Sequence, residues 1–343
     1  MTRELTTYLK GIAVILMVMH HSFGNPQWYI SSINYAYLAP YVDWICDFAG
    51  FAVVPIFCFL TGWTYYLRKE KTLNYSLTKI VTFLIDYWLI LFGFAAIAHF
   101  LCGYQLTWNE IGTEMLSSTH NIMLFSWFVF LYIEIMLFLP YFAKLTQNYS
   151  LKQYILLTLG IVVFCKGILG ALNVYGMEKF FVYSAIEYFS DYIPIVISAY
   201  LCAKYDYIAK LAQRMQSYSA SWITLFLLFP IVAYYAFKPF ISTYSSVFLC
   251  PLYIALLTAA NLNYNNLLHK VVLLLGKHSM NIWFLQCIFF AAATREVFQE
   301  YAYVMQHPLP VVMWILFLCT IFSFPLIKIQ HKISAATSKF FAE

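Results

Sequence analysis

The chain reads as an all-α, polytopic transmembrane helix bundle, and three observations lead there. Hydrophobic residues make up 63% of the chain, charged residues only 10%, and the mean hydropathy is +0.73, against roughly 45–50% and about 25% in an average soluble domain. The apolar residues come in runs of membrane-crossing length. The basic residues collect in alternate gaps between those runs.

In so apolar a chain the helical period carries little information, so the elements are set by run length and by where charge interrupts. The runs are approximately 5–23, 38–66, 80–101, 124–143, 153–174, 187–203, 219–237, 243–260, 270–293 and 309–328, which predicts ten helices. The second run is long enough to hold a break near Gly50 or Pro55, and eleven segments is the alternative count.

With the N-terminus inside, sixteen Lys and Arg fall at cytoplasmic ends and only three, Lys179, Lys238 and Arg295, fall outside, while Lys166 lies within the membrane. The positive-inside rule therefore predicts N-in and C-in. The net charge of +5 belongs at an inner leaflet and not on nucleic acid. The first run lacks a small-residue cleavage site and is read as an anchor, not a removable signal. Of the eight cysteines, seven sit in apolar runs and Cys102 lies at an outer edge, with no metal-ligand spacing. No Gly/Ser/Pro-rich linker is present, so residues 1–343 are expected to form a single integral domain without an appended soluble module.

The first run, RELTTYLKGIAVILMVMHHSF, carries a cation near its start and two histidines near its end. Lys10 and His21 project from one face at about 100° per residue and stand about 16 Å apart along the axis; His20 points elsewhere. That separation suits two parts of one long ligand. A snorkelling lysine and an interfacial histidine are the plain alternative.

The second run brings Asp43 and Asp47, four apart and so on one face, where a carboxylate could orient an imidazole; carboxylates in a solvated loop are the alternative. Toward its inner end, Gly62 in Thr61-Gly62-Trp63 would let a backbone or a ligand come close. Arg68, Lys69 and Lys71 follow as a basic cluster fit for a nucleotide's phosphates or simply for anionic lipid. The third run holds Asp86 and His99. The loop after it has Glu110, Glu114 and His120.

Glu134 sits mid-span in the fourth run, at a cost of at least ~2.5 kcal/mol unless it faces a polar cavity or a partner. Lys166 in the fifth run is the candidate counter-ion. The sixth run opens with Glu187 and Asp191, and the ninth with Gly276, Lys277, His278 and Ser279.

Four stretches, YLKGIAVILMVMHHSF, FAVVPIFCFLTGWTYYLRKE, SWFVFLYIEIMLFLP and LGKHSMNIWFLQ, together resemble the acyltransferase-3 family of integral membrane O-acyltransferases over essentially the whole chain. The family's basic residue, ten-residue gap and histidine fall on Lys10 and His21. Its Ser-Gly-Phe/Tyr element resembles Thr61-Gly62-Trp63, and the basic loop after it resembles Arg68-Lys69. Lys79 and Thr82 stand where Arg-x-x-Arg is usual, Gln286 stands where a histidine is frequent, and PLIKIQHKI lacks an acidic-Pro ending.

The resemblance implies transfer of an acyl group, usually acetyl, from cytoplasmic acyl-CoA to a sugar hydroxyl of an envelope polysaccharide or an undecaprenyl-linked precursor, in a bacterial cytoplasmic membrane. It assigns His21 as general base, an imidazole with an ordinary pKa of about 6.5, with Asp47 or Glu134 orienting it. Lys10, Arg68, Lys69 and Lys79 would bind the acetyl-CoA phosphates, and Thr61, Gly62 and Trp63 would contact substrate. No metal is expected, and self-association is left open. The main rival is a permease or flippase using Glu134, Asp86 and Lys166 as its polar interior; a degenerate family member acting as a scaffold is a third reading.

Overall fold

A computed structural model describes residues 1–34, 42–116, 122–216, 218, 222, 229, 231–232, 234–237, 243–260, 265–305 and 307–340, without the side chains of 44 and 334–340. His120 and most of the expected run 219–237 lie outside the described residues. The described residues are helical, without strands. In chain order the helices are α1 (Arg3–Phe23), a 3₁₀ turn (Pro26–Trp28), α2 (Asp43–Tyr66), α3 (Leu73–Phe100), α4 (Trp108–Met115), α5 (Trp127–Leu145), α6 (Leu151–Val174) and α7 (Phe181–Lys204). There follow α8 (Tyr207–Met215), α9 (Ser246–Ala259), α10 (Leu267–Lys277), α11 (Ser279–Leu285), α12 (Cys287–Phe290), α13 (Arg295–Ala302) and α14 (Pro308–Phe340).

Among the described residues, five helices are long and apolar enough to cross a membrane: Ile45–Tyr66, α3, α5, α6 and the Pro308–Ile333 part of α14. A sixth is added if Leu267–Lys277 and Ser279–Phe289, bent by 69° at their junction, count as one broken span. Five or six of the ten expected runs therefore meet that length and hydropathy among the described residues. Polar residues lower the hydropathy of two unbroken helices, Lys10 with both histidines in α1 and Glu187 with Asp191 in α7, and α9 has 14 residues, too few for a hydrocarbon core of about 30 Å. The alternative of a break near Gly50 or Pro55 is not realised, because α2 runs unbroken past both.

The chain forms two compact units. The first comprises Met1–Leu9, Phe51–Ser76 and Glu134–Lys270; the second comprises Lys10–Gly50, Leu77–Ile133 and Val271–Glu343. In the first unit α6 packs on α7, and α9 packs on both α7 and α8. Gly62 of α2 meets α7 there, and a Cβ at Gly62 would lie 3.1 Å from the Ala199 methyl and still closer to the Val196 carbonyl oxygen. The bare face of Gly62 is therefore filled by a neighbouring helix backbone. The Thr61 hydroxyl donates to the Phe57 carbonyl at 2.9 Å, and Trp63 is buried.

In the second unit α1 and α10 make a similar close approach, with a Cβ at Gly11 only 2.8 Å from Val272 Cγ1. α11 packs on α14, and their contact is polar at its centre. Asn281 and Gln330 exchange amide hydrogen bonds of 2.9 and 2.8 Å, and His278 Nδ1 lies 2.8 Å from Ser323 Oγ. His278 is the residue at the bend. Paired side chains there satisfy groups that would be costly to leave unmet in an apolar interior.

Candidate active site

His21 lies in the last turn of α1 and is 9% exposed. Its ring stacks on Phe125 with centroids 3.4 Å apart and planes 6° apart, and meets the Trp28 ring edge-on at 6.0 Å. Gln286, at the α11–α12 junction, acts on it electrostatically; its Nε2–H donates to the Trp283 carbonyl at 3.2 Å, and its Oε1 has no hydrogen-bond partner among the described residues. His21 Nδ1 has no hydrogen-bond partner among the described residues. A flat aromatic face therefore fixes the plane of the imidazole and leaves a ring nitrogen uncommitted.

Each neighbour of His21 is itself held. Glu114, fully buried on α4, accepts the Ile122 N–H at 3.0 Å through one carboxylate oxygen and the Met123 N–H at 3.2 Å through the other. Those bonds fasten the turn that presents Phe125, whose carbonyl accepts Trp283 Nε1–H at 3.3 Å. The Tyr87 hydroxyl donates to the Glu114 carbonyl at 2.7 Å and Trp88 Nε1–H to that of Met115 at 3.0 Å, so α3 secures α4. Trp28 is held from α13: Gln299 Nε2–H donates to the Trp28 carbonyl at 2.6 Å, and Gln299 Oε1 accepts the Ile30 N–H at 2.7 Å. The Tyr303 hydroxyl donates to the Ser22 carbonyl at 2.6 Å.

His20 is held differently. Its Nδ1–H donates to the Cys46 carbonyl of α2 at 3.0 Å, and its ring centroid is 5.6 Å from that of His21. Asp47 acts electrostatically on His20, whereas His21 feels His20 and Gln286. Asp47, one of the two carboxylates considered as orienting His21, thus acts on the neighbouring imidazole. Asp43 and Asp47 lie on the opening turns of α2 with exposed side chains, so they are helical and not loop carboxylates.

Lys10, partly buried, shares α1 and the second unit with His21. Lys79 also belongs to the second unit and is exposed. Thr61, Gly62, Trp63, Arg68, Lys69 and Glu134 belong to the first unit. There the Arg68 guanidinium lies 5.7 Å from the Tyr75 ring centroid and Lys69 is exposed. Glu134 Oε2 is buried without a hydrogen-bond partner among the described residues. The expected Glu134–Lys166 pair is not made: Lys166 Nζ binds Asp191 Oδ1 at 2.8 Å, and the Tyr244 hydroxyl donates to the same oxygen at 3.1 Å.

The acyltransferase-domain family model matches residues 7–328. The chain belongs to the acyltransferase-3 family. That match takes in both units and every residue named in this section. No curated protein and no solved structure matches the chain. Membership makes the protein a multi-pass membrane acyltransferase, and a permease or flippase reading of its polar interior is set aside. Phe125, Trp28 and Glu114 carry no motif. The only trace of Glu114 in the sequence is an acidic residue on a short loop helix, where exposure is the default.

Proposed function

We propose that this acyltransferase moves an acyl group, acetyl in the first instance, from cytoplasmic acyl-CoA to a hydroxyl of a cell-envelope glycan or its lipid-linked precursor. It would do so from a bacterial cytoplasmic membrane, with both termini inside as the charge distribution favours. The observation that carries the reading is an unbroken α1 with a cation and a buried, plane-fixed imidazole about 16 Å apart on one face. Coenzyme A is an anionic head on an extended thiol arm, and those two groups suit its two ends.

In the proposed reaction, His21 removes the proton of the sugar hydroxyl as its oxygen attacks the thioester carbonyl. The tetrahedral intermediate collapses by breaking the C–S bond. The departing thiolate takes the proton from His21, giving the sugar ester and free CoA and returning the imidazole to its neutral state. Phe125 and Trp28 keep the ring in place through the cycle, which lowers the cost of orienting it. Lys10 would bind donor phosphate, while Arg68, Lys69 and Lys79 add positive charge that draws an anionic donor to the membrane face.

The test is the mass of the envelope glycan from cells with and without this gene. Loss of one acetyl mass per modified sugar on deletion supports the reading; an unchanged glycan overturns it.

A further inference from the structure

The second histidine of the pair sits in a built slot. A Cβ at Gly50 would lie 2.6 Å from His20 Cε1 and 2.8 Å from Nδ1, and a Cβ at Gly24 would lie 2.9 and 2.8 Å from the same two atoms. Any side chain at either position would drive the ring out, so two glycines, one on α2 and one just past α1, define its rotamer. Within that slot the ring nitrogens are distinguished. A carbonyl can only accept, so Nδ1 carries the hydrogen that binds Cys46 O. In the neutral ring Nε2 is then a lone-pair acceptor, and it makes no hydrogen bond among the described residues. The residue is only partly buried, next to His21 in the same unit.

We infer that His20 binds the acceptor: its Nε2, aimed by the Cys46 bond and the two glycines, accepts a hydrogen bond from a hydroxyl of the polyhydroxylated substrate. This rests on the acyltransfer reading above and adds to it the residue that holds the acceptor beside His21. A fixed-tautomer imidazole recognises a hydroxyl at low entropic cost, because its only orientation is already set. The arrangement assigns the two histidines different tasks, His21 proton removal and His20 recognition.

The test separates Nδ1 from Nε2. In His20→Asn the shorter amide can keep the donation to Cys46 O but offers nothing at the Nε2 position; in His20→Gln the longer amide carries an acceptor toward the Nε2 position and gives up the Cys46 bond. Gly50→Ala keeps the imidazole and displaces it. Two quantities are read at equal protein level: hydroxylamine-releasable acyl ester on the cells' envelope polysaccharide, and coenzyme A affinity of the purified full chain by calorimetry.

The expected result is a five- to tenfold loss of ester in His20→Asn and Gly50→Ala, the worth of about one neutral hydrogen bond. His20→Gln should lose less, and coenzyme A affinity should be unchanged in all three. Full ester in His20→Asn with loss in His20→Gln would make His20 a structural tie between helices and overturn the inference. So would wild-type ester in both variants, or coenzyme A affinity that falls together with the ester. A gene deletion that leaves the ester content unchanged would instead remove the acyltransfer reading on which the inference stands.

Discussion

Two adjacent imidazoles at the end of α1 are held by opposite means. His21 is clasped by π-faces, with a ring nitrogen left over; His20 is placed by backbone, through a carbonyl and two glycines that leave no room for error. Aromatic packing fixes a ring's plane and tolerates a proton arriving or leaving. A backbone carbonyl fixes the tautomer, because it keeps the hydrogen on Nδ1. On the roles proposed above, one helix turn would offer a proton-handling group and a recognition group side by side.

The largest effect is expected from His21→Ala. It should lower acyl transfer by roughly 10²–10⁴-fold, the span of a general base, at normal protein level in the membrane, as read by ester content of the envelope polysaccharide. Retained ester would leave the imidazole without its role. Next in size is Glu114→Ala, which strands the Ile122 and Met123 amides in a buried site. A cost on the order of 3 kcal/mol should appear as a lower thermal midpoint of the purified protein, and the variant should lose transfer as Phe125 drifts. An unchanged midpoint would show that the turn is held by other contacts.

Phe125→Leu tests the stacking itself. It keeps an apolar side chain and removes the ring, so transfer should fall about fivefold, in line with roughly 1 kcal/mol for an aromatic contact. Equal activity would make the 3.4 Å stack incidental. The smallest effect lies at the other end of α4, where Glu110 closes a capping box with Thr107. The Thr107 N–H and hydroxyl hold the Glu110 carboxyl below its ordinary range. A depressed pKa stabilises the fold at neutral pH and ceases to do so as pH falls through the lowered value. The stability difference between wild type and Glu110→Gln should therefore shrink on acidification; a constant difference would contradict it.

Much of this fold was legible because apolar runs in lipid have one economical solution, a helix that satisfies its own backbone. The runs at 80–101, 124–143 and 153–174 correspond closely to α3, α5 and α6. The bend at His278 was hidden, since LLLGKHSMNIW is apolar on both sides of the break. α14 outran its apolar stretch because KIQHKISAATSKF can continue a helix beyond it.

The site was legible only in part. Lys10 and His21 announced themselves by spacing, and hydropathy gave the depth of Glu134 and Lys166, but depth says nothing of azimuth: Lys166 turned to Asp191. Phe125 and Gln286 come from distant segments, and their convergence on His21 is a tertiary fact that a single sequence does not display. Gly50, read from the sequence as a possible break, and Gly24 both lie against the His20 ring, a contact that no sequence pattern displays.

In the proposed reaction an acyl group passes from a thioester to a hydroxyl under His21. Membrane vesicles containing the chain, supplied with radiolabelled acetyl-CoA and the cells' own envelope polysaccharide, should move label into hydroxylamine-sensitive ester, and vesicles with His21→Ala should not. Equal labelling by the two, or none by the wild type, would contradict it.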